Sequence, residues 1–289
     1  IEKKLFVFSG DIGRQEDDLL YPPHRPKKAD YLLIESTYGD RMHPSENIDE
    51  IKQIVQEVID KKGILIIPSF AVERTQLLMQ LFWRLQDAKK IPQIPIVMDS
   101  PMARKVLELF IKYKDWHKLT LDESEQMVNK IKVLNSKDET EAFMKSTEPR
   151  IVIAGGGMVT GGRVLSYMER FISDEKATIL LAGFQAEGTR GRQLAEGAHE
   201  VKIRGKFYEV KATTKILKGL SAHADQADLI WWLKDLETEP QRVFIVHGEP
   251  TSADAFRVKL QDLYNWEITI PALFDIQELS LAKFIKVTV

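Results

Sequence analysis

Apolar positions along this chain follow two different periods. Residues 5–8, 31–35, 64–68, 94–98, 150–154, 178–182 and 243–247 are short, β-branched runs with no polar alternation. Unbroken runs of that length predict strands covered on both faces, the pattern of parallel sheets. Between them the apolar residues are spaced as on helices. Ile48, Ile51, Val55, Val58 and Ile59 predict one amphipathic helix, with Ser45 as its N-cap and Gly63 just past its end. Leu77, Leu78, Leu81 and Leu85 predict another. Strands alternating with helices imply an α/β architecture. One segment departs from the rhythm: Val201-Lys202-Ile203, a turn at Arg204-Gly205-Lys206 and Phe207-Tyr208-Glu209-Val210 read as a β-hairpin.

Composition narrows the class. At 289 residues the chain is long enough for two domains, and 44% hydrophobic with 29% charged residues is ordinary for a globular protein. A net charge of -2 means that any nucleic-acid contact comes from a local patch rather than the whole surface. Zero cysteines excludes disulfides, thiolate zinc sites and a cysteine nucleophile, and fits a cytoplasmic protein. No apolar stretch reaches the ~18 residues of a membrane span, so no membrane partner is expected.

In open α/β sheets functional groups collect at the carboxyl ends of strands. Four segments place an ionisable residue in that setting or at a helix start: Asp11 after residues 5–8, Glu35 after 31–34, His223 ahead of a helix beginning near Asp225, and His247 after 243–246. Each alone is more simply a turn former, a cap or a satisfied structural histidine. Converging on one crevice, a carboxylate pair and two imidazoles suit a metal-assisted hydrolase. A second group surrounds the glycines. Gly155-Gly156-Gly157 and Gly161-Gly162-Arg163 follow a strand and precede a helix, where exposed backbone N–H groups can cradle a phosphate. The plain alternative is a tight turn, and the spacing matches neither a dinucleotide fingerprint nor a P-loop. Arg74, Arg163, Arg190 and Arg192 lie at helix starts, where guanidinium groups can clamp phosphates; Ser69 and Ser100, at strand ends, can donate to a phosphate or cap a helix. Trp231 and Trp232 read as packing residues, and His24, His43, His117 and His199 as surface or structural ones.

The motifs, in order, resemble those of β-CASP nucleases of the metallo-β-lactamase superfamily. They are Phe8-Ser9-Gly10-Asp11-Ile12-Gly13-Arg14, Glu35-Ser36-Thr37-Tyr38-Gly39, Pro68-Ser69-Phe70-Ala71-Val72-Glu73-Arg74, Asp99-Ser100-Pro101-Met102-Ala103, Gly155 to Arg163, Gly183-Phe184-Gln185-Ala186-Glu187-Gly188-Thr189-Arg190-Gly191, Gly219-Leu220-Ser221-Ala222-His223-Ala224-Asp225 and Val246-His247-Gly248-Glu249. The resemblance covers essentially the whole chain. It implies an incomplete αββα metallo-β-lactamase domain over residues 1–41 and 216–289, with a Rossmann-like β-CASP domain over 42–215 inserted in it.

What it implies chemically is hydrolysis of RNA phosphodiester bonds, in RNA processing or decay, on single-stranded RNA. Asp11 corresponds to an aspartate that bridges two zinc ions in the complete enzyme, and His247 to a late histidine ligand. His223 corresponds to the histidine that protonates the leaving oxygen, and Glu35 to its partner, since a carboxylate against an imidazole favours the charged ring. Phosphate contacts are expected from Ser69, Arg74, Ser100, Gly156, Gly157, Gly161, Gly162, Arg163 and Arg190. Bacterial relatives are often dimers, so a homodimer is compatible.

The chain departs from the family in one large respect. The family's first ligand cluster is a His-x-His-x-Asp-His run, followed by a further separate histidine. The six histidines here, His24, His43, His117, His199, His223 and His247, contain no such run. Asp11 and His247 alone fall short of the roughly three protein ligands of a catalytic zinc, so this chain is expected to bind zinc weakly or not at all. It opens at Ile1, on a strand-like run rather than at Met, which favours a fragment that lacks the N-terminal half of the metallo-β-lactamase domain and is inactive alone. The alternative is a catalytically degenerate relative that binds RNA or acts as a scaffold.

Overall fold

A computed structural model of the chain describes residues 3–45, 48–279 and 286–288. In chain order the strands and helices begin with β1 (Phe6–Phe8), β2 (Tyr31–Glu35), α1 (Ile48–Asp60), β3 (Ile64–Ser69), α2 (Arg74–Asp87), β4 (Ile96–Asp99) and α3 (Pro101–Lys112). They continue with α4 (Leu121–Lys130), β5 (Lys132–Val133), α5 (Lys137–Lys145), β6 (Arg150–Gly155), α6 (Val164–Phe171), β7 (Thr178–Ala182) and α7 (Arg190–Ala195). The last are β8 (Glu200–Ile203), β9 (Lys206–Glu209), β10 (Thr213–Leu217), α8 (Gln226–Leu233), β11 (Arg242–Val246), α9 (Pro250–Leu263), β12 (Ile268–Thr269), β13 (Ile276–Glu278) and β14 (Lys286–Thr288). The chain is a mixed α/β protein built on parallel sheets.

It divides into two compact units. The first takes residues 1–17, 21–43 and 222–289, and the second takes 18–20 and 44–221. The first unit holds a four-stranded sheet in the order β1-β2-β11-β12, parallel throughout. Leu32, Ile34, Val243 and Ile245 on one face join Leu229, Trp232, Leu233, Phe256 and Leu260 from α8 and α9 in a core. Trp232 lies in this core, its indole N–H donating to the His24 carbonyl at 2.8 Å, and Trp231 lies under the Arg25 guanidinium. Both tryptophans are therefore engaged in packing.

The second unit holds a six-stranded sheet, order β10-β7-β3-β6-β4-β5, again parallel. Every residue of β3 and β7 is buried, as continuous apolar runs require. Helix α1 covers one face with Ile51, Ile54, Val55 and Val58, and truncating one of these to Ala costs about 2–5 kcal/mol. The helix begins at Ile48, and the capping expected of Ser45 turns on residues 46 and 47, which lie outside the described residues. At its far end the left-handed residue is Lys62 (φ 50°), while Gly63 is required by contact: a Cβ there would sit 1.9 Å from the Lys176 carbonyl oxygen.

Strand limits shift slightly from the apolar runs. The run at 94–98 pairs only from Ile96, one residue after Pro95, which has no N–H to give a ladder. His247 lies outside β11, because its backbone turns to φ 51° directly after Val246. The hairpin forms as β8 and β9, but its loop is only Arg204 and Gly205, both at positive φ as a tight primed turn demands, and Lys206 pairs with Ile203.

Candidate active site

All strands of the first unit's sheet run the same way, so their carboxyl ends lie at one edge. There β1 runs into Ser9, Gly10 and Asp11, β2 ends on Glu35, and β11 runs into His247. The loop before α8 brings His223 to the same edge. It is stitched to the β1 loop by a bridge between Gly13 and His223 and by Ala224 N–H donating to the Ile12 carbonyl at 2.7 Å. Asp225 then caps α8 in a reciprocal capping box with Asp228, fixing where the loop ends.

The four side chains meet in order of burial. Glu35 is 1% exposed and its carboxylate is fully engaged. One oxygen accepts from the Ile12 backbone N–H, the other from the Thr37 hydroxyl at 2.7 Å, and His223 Nδ1 lies 3.0 Å from that second oxygen. A carboxylate only accepts, so Nδ1 carries the donated proton and Nε2 is left to face other partners. Thr37 Oγ1 also lies 3.3 Å from His247 Nδ1, and the two imidazoles stack with centroids 5.7 Å apart. Asp11, the most exposed of the four, approaches His247 Nδ1 at 3.7 Å.

Asp11, His223 and His247 each offer a ligand atom within 4.8 Å of the others. One carboxylate and two imidazoles form a donor set that suits zinc, and three protein ligands are the usual number for a catalytic ion. The residues present therefore fit one metal ion, and they include a donor, His223, to which sequence reasoning assigned only proton transfer. Two ions would need more ligands than this cluster holds.

Two supporting residues were not legible beforehand. Thr37, within the Glu35-Ser36-Thr37-Tyr38-Gly39 motif, links Glu35 to both histidines. His43 donates from Nε2 to the His223 carbonyl at 2.8 Å, its backbone N–H binds Asp225 at 2.9 Å, and its ring meets Tyr38 edge-on. Burial pushes the His43 imidazole below its ordinary pKa, opposed by the bond to His223. No local pattern announces this, since the two histidines are 180 residues apart. His117, by contrast, is buried against Phe110 and is structural.

In the second unit, Ser69, Asp99 and Ser100 and the glycine loop gather at the carboxyl ends of β3, β4 and β6, with Ser69 in register with Gly155. Ser100 caps α3 through a bond from Ala103 N–H at 3.2 Å, and Ser69 accepts from the Thr75 hydroxyl at 3.0 Å. The glycine loop closes on itself: a Cβ on Gly156 would lie 2.0 Å from the Gly161 carbonyl oxygen, and one on Gly162 2.3 Å from that of Gly155. Gly161 itself meets nothing within 4 Å, and Gly157 abuts the ring of Phe70. The arginines turn to the protein. Arg74 is buried beside Gly183, Arg163 Nε sits 3.2 Å from the buried Asp99, and Arg190 donates to the carbonyls of Val159 and Lys202. Arg192 pairs with Glu196 at 2.6 Å. These guanidinium groups tie the loops together in this structure.

Among the described residues no helix is long and apolar enough to cross a membrane. A β-CASP domain family model matches residues 75–194, and the model of a Zn-dependent metallo-hydrolase RNA specificity domain matches 208–271. The chain is 33% identical over 257 residues to a protein of Thermus thermophilus named ribonuclease TTHA0252, covering 86% of this chain and 58% of the relative. It is 30% identical over 274 residues to an RNase J-like protein of Methanocaldococcus jannaschii, with 90% and 62% covered. A transcription termination factor FttA of Methanosarcina mazei is 27% identical over 259 residues, with 84% and 41% covered. The chain thus spans less than two thirds of the length of each of these curated relatives.

Proposed function

We propose that the chain belongs to the β-CASP family of metallo-β-lactamase RNA nucleases and carries part of the centre of a zinc-dependent hydrolase that cuts single-stranded RNA. The observation that supports this most directly is the meeting of Asp11, Glu35, His223 and His247 at one sheet edge from four separate parts of the chain. Within that reading, residues 1–41 and 216–289 are the metallo-β-lactamase portion and 42–215 the β-CASP portion.

Asp11 and His247 are the ligands this chain would give a metal ion, and His223, whose Nδ1 faces Glu35, serves proton transfer rather than as the third donor of the cluster. A bound zinc ion would polarise the phosphate and lower the pKa of the attacking water. His223 hands a proton from Nε2 to the leaving oxygen, while Glu35, held by Ile12 and Thr37, keeps its ring oriented. Ser69, Ser100 and the glycine loop at Gly156, Gly157, Gly161 and Gly162 hold backbone phosphates, with Arg74, Arg163 and Arg190 adding positive potential. A two-zinc centre needs donors beyond the three gathered here, so full activity belongs to a protein that also contributes a His-x-His-x-Asp-His cluster, and this polypeptide alone is inactive.

The same shortage of donors favours a second reading, a degenerate relative that binds RNA without cutting it. Cleavage of a single-stranded oligoribonucleotide by a protein joining this chain to such a cluster separates the two. His223→Ala and Asp11→Ala should each nearly abolish cleavage while leaving the fold intact. Undiminished cleavage in both variants sinks the catalytic assignment, and RNA binding without any cleavage in the parent supports the second reading.

A further inference from the structure

We infer that Phe70 is a stacking platform for one nucleobase of the single-stranded RNA, beside the glycine loop of the second unit. The inference rests on the RNA reading above and adds to it a contact that recognises the base rather than the phosphate. Phe70 follows the last residue of β3, and 46% of it is exposed. What sets Phe70 apart from the other exposed aromatics is its place at the carboxyl end of β3, beside the glycine loop.

Its surroundings hold it in place. The backbone under the ring is fixed, because the Phe70 carbonyl accepts from the Thr75 hydroxyl at 2.6 Å and from the Ser69 hydroxyl at 3.2 Å. The ring rests against Gly157, where a Cβ would come within 2.7 Å of two ring carbons, so that position must stay bare for the ring to lie where it does. Gly157 is itself held, its carbonyl accepting from the Gln185 carboxamide at 3.1 Å. The aromatic is thus braced by Gly157 and half exposed, adjacent to Ser69 and Gly156, whose N–H donates to the Ser69 carbonyl at 2.9 Å. A half-exposed aromatic face held in place by its neighbours is an arrangement that takes a base by stacking. Since every base has a π-face, the contact is sequence-tolerant.

The test titrates the 289-residue chain, in chelator, into oligoribonucleotides carrying one 2-aminopurine moved stepwise along the strand. Quenching at one position marks the stacked base. Phe70→Leu, which keeps an apolar contact to Gly157, should remove that quench and weaken binding about 10-fold, whereas Phe70→Trp should preserve both. An abasic nucleotide at the quenched position should cost the parent chain a similar factor and cost Phe70→Leu nothing further. Equal affinity and intact quenching in Phe70→Leu, with its melting temperature unchanged, overturns the inference alone. If the parent chain binds no single-stranded RNA at all, the RNA reading fails first and the stacking site with it.

Discussion

Glu35 Oε2 lies 3.0 Å from His223 Nδ1, with the carboxylate 1% exposed and the imidazole side chain 23% exposed. The buried partner orients the accessible one, and in the proposed mechanism the pair acts as an anchored proton donor. Glu35→Gln keeps the volume, but its amide offers two donors where Ile12, Thr37 and His223 all need acceptors. In the complete enzyme this substitution should lower kcat about 10–100-fold, with a smaller change in KM. Single-turnover cleavage of single-stranded RNA reads it directly. A Glu35→Gln enzyme with parental kcat would show that the pair is merely structural.

Metal uptake should separate the roles of the three clustered donors. Asp11 and His247 have side chains 71% and 56% exposed, above an apolar core that closes without them. Removing metal with a chelator should accordingly leave the melting temperature of the isolated chain nearly unchanged, unlike a structural zinc site. In calorimetric zinc titrations, Asp11→Ala and His247→Ala should each weaken uptake by more than about 10-fold. His223→Ala should leave uptake within about 3-fold while abolishing cleavage in the complete enzyme. Loss of zinc in His223→Ala would instead make His223 a third ligand.

What could be read before folding follows from geometry. A parallel sheet puts the carboxyl ends of its strands together, so Asp11, Glu35 and His247 announce themselves by position, and the unbroken apolar runs announce the sheet. Side-chain direction is not legible in the same way. Arg74 heads a helix as an exposed phosphate clamp would, yet only 6% of it is exposed, because its guanidinium fills the space beside Gly183. Nor does any local pattern place His43 beneath the His223 carbonyl, since that contact exists only after both stretches have packed on the same sheet edge.

Acid should destabilise the first unit through His43. Burial, the largest influence, holds its pKa below the ordinary 6.5, outweighing the favourable bond to His223, while nearby Arg14 lowers it further and Asp225 opposes. The unfolded chain then binds more protons than the folded one once pH falls toward the unfolded pKa. Stability is present above that value and is lost below it. His43→Gln retains a donor for the His223 carbonyl but cannot titrate. Urea unfolding at about pH 7.5 and about pH 5.5 should show a larger loss for the parent than for His43→Gln. Identical losses would remove His43 from the account.

The glycine loop of the second unit depends on a carboxylate it does not contain. Asp99, 1% exposed at the end of β4, accepts from the Thr140 hydroxyl at 2.7 Å and the Tyr167 hydroxyl at 2.9 Å. Its other oxygen sits 3.2 Å from Arg163 Nε, an ion pair without hydrogen-bond alignment. Burial and the Asp99 charge push the Tyr167 phenol far above its usual pKa, so it remains a neutral donor at any working pH. Tyr167→Phe removes one of several donors and should cost about 1 kcal/mol in urea unfolding. Asp99→Ala strands the buried Tyr167 hydroxyl and one partly buried guanidinium together, while Thr140 keeps the Ser136 carbonyl at 3.0 Å, and should cost about 3–5 kcal/mol. Because Arg163 opens the helix that follows the glycine loop, Asp99→Asn should also weaken RNA binding in filter assays, even where the fold survives. An Asp99→Ala chain within 1 kcal/mol of the parent, a cutoff set at about the worth of one hydrogen bond, would mean that the network is relieved by water rather than by the carboxylate.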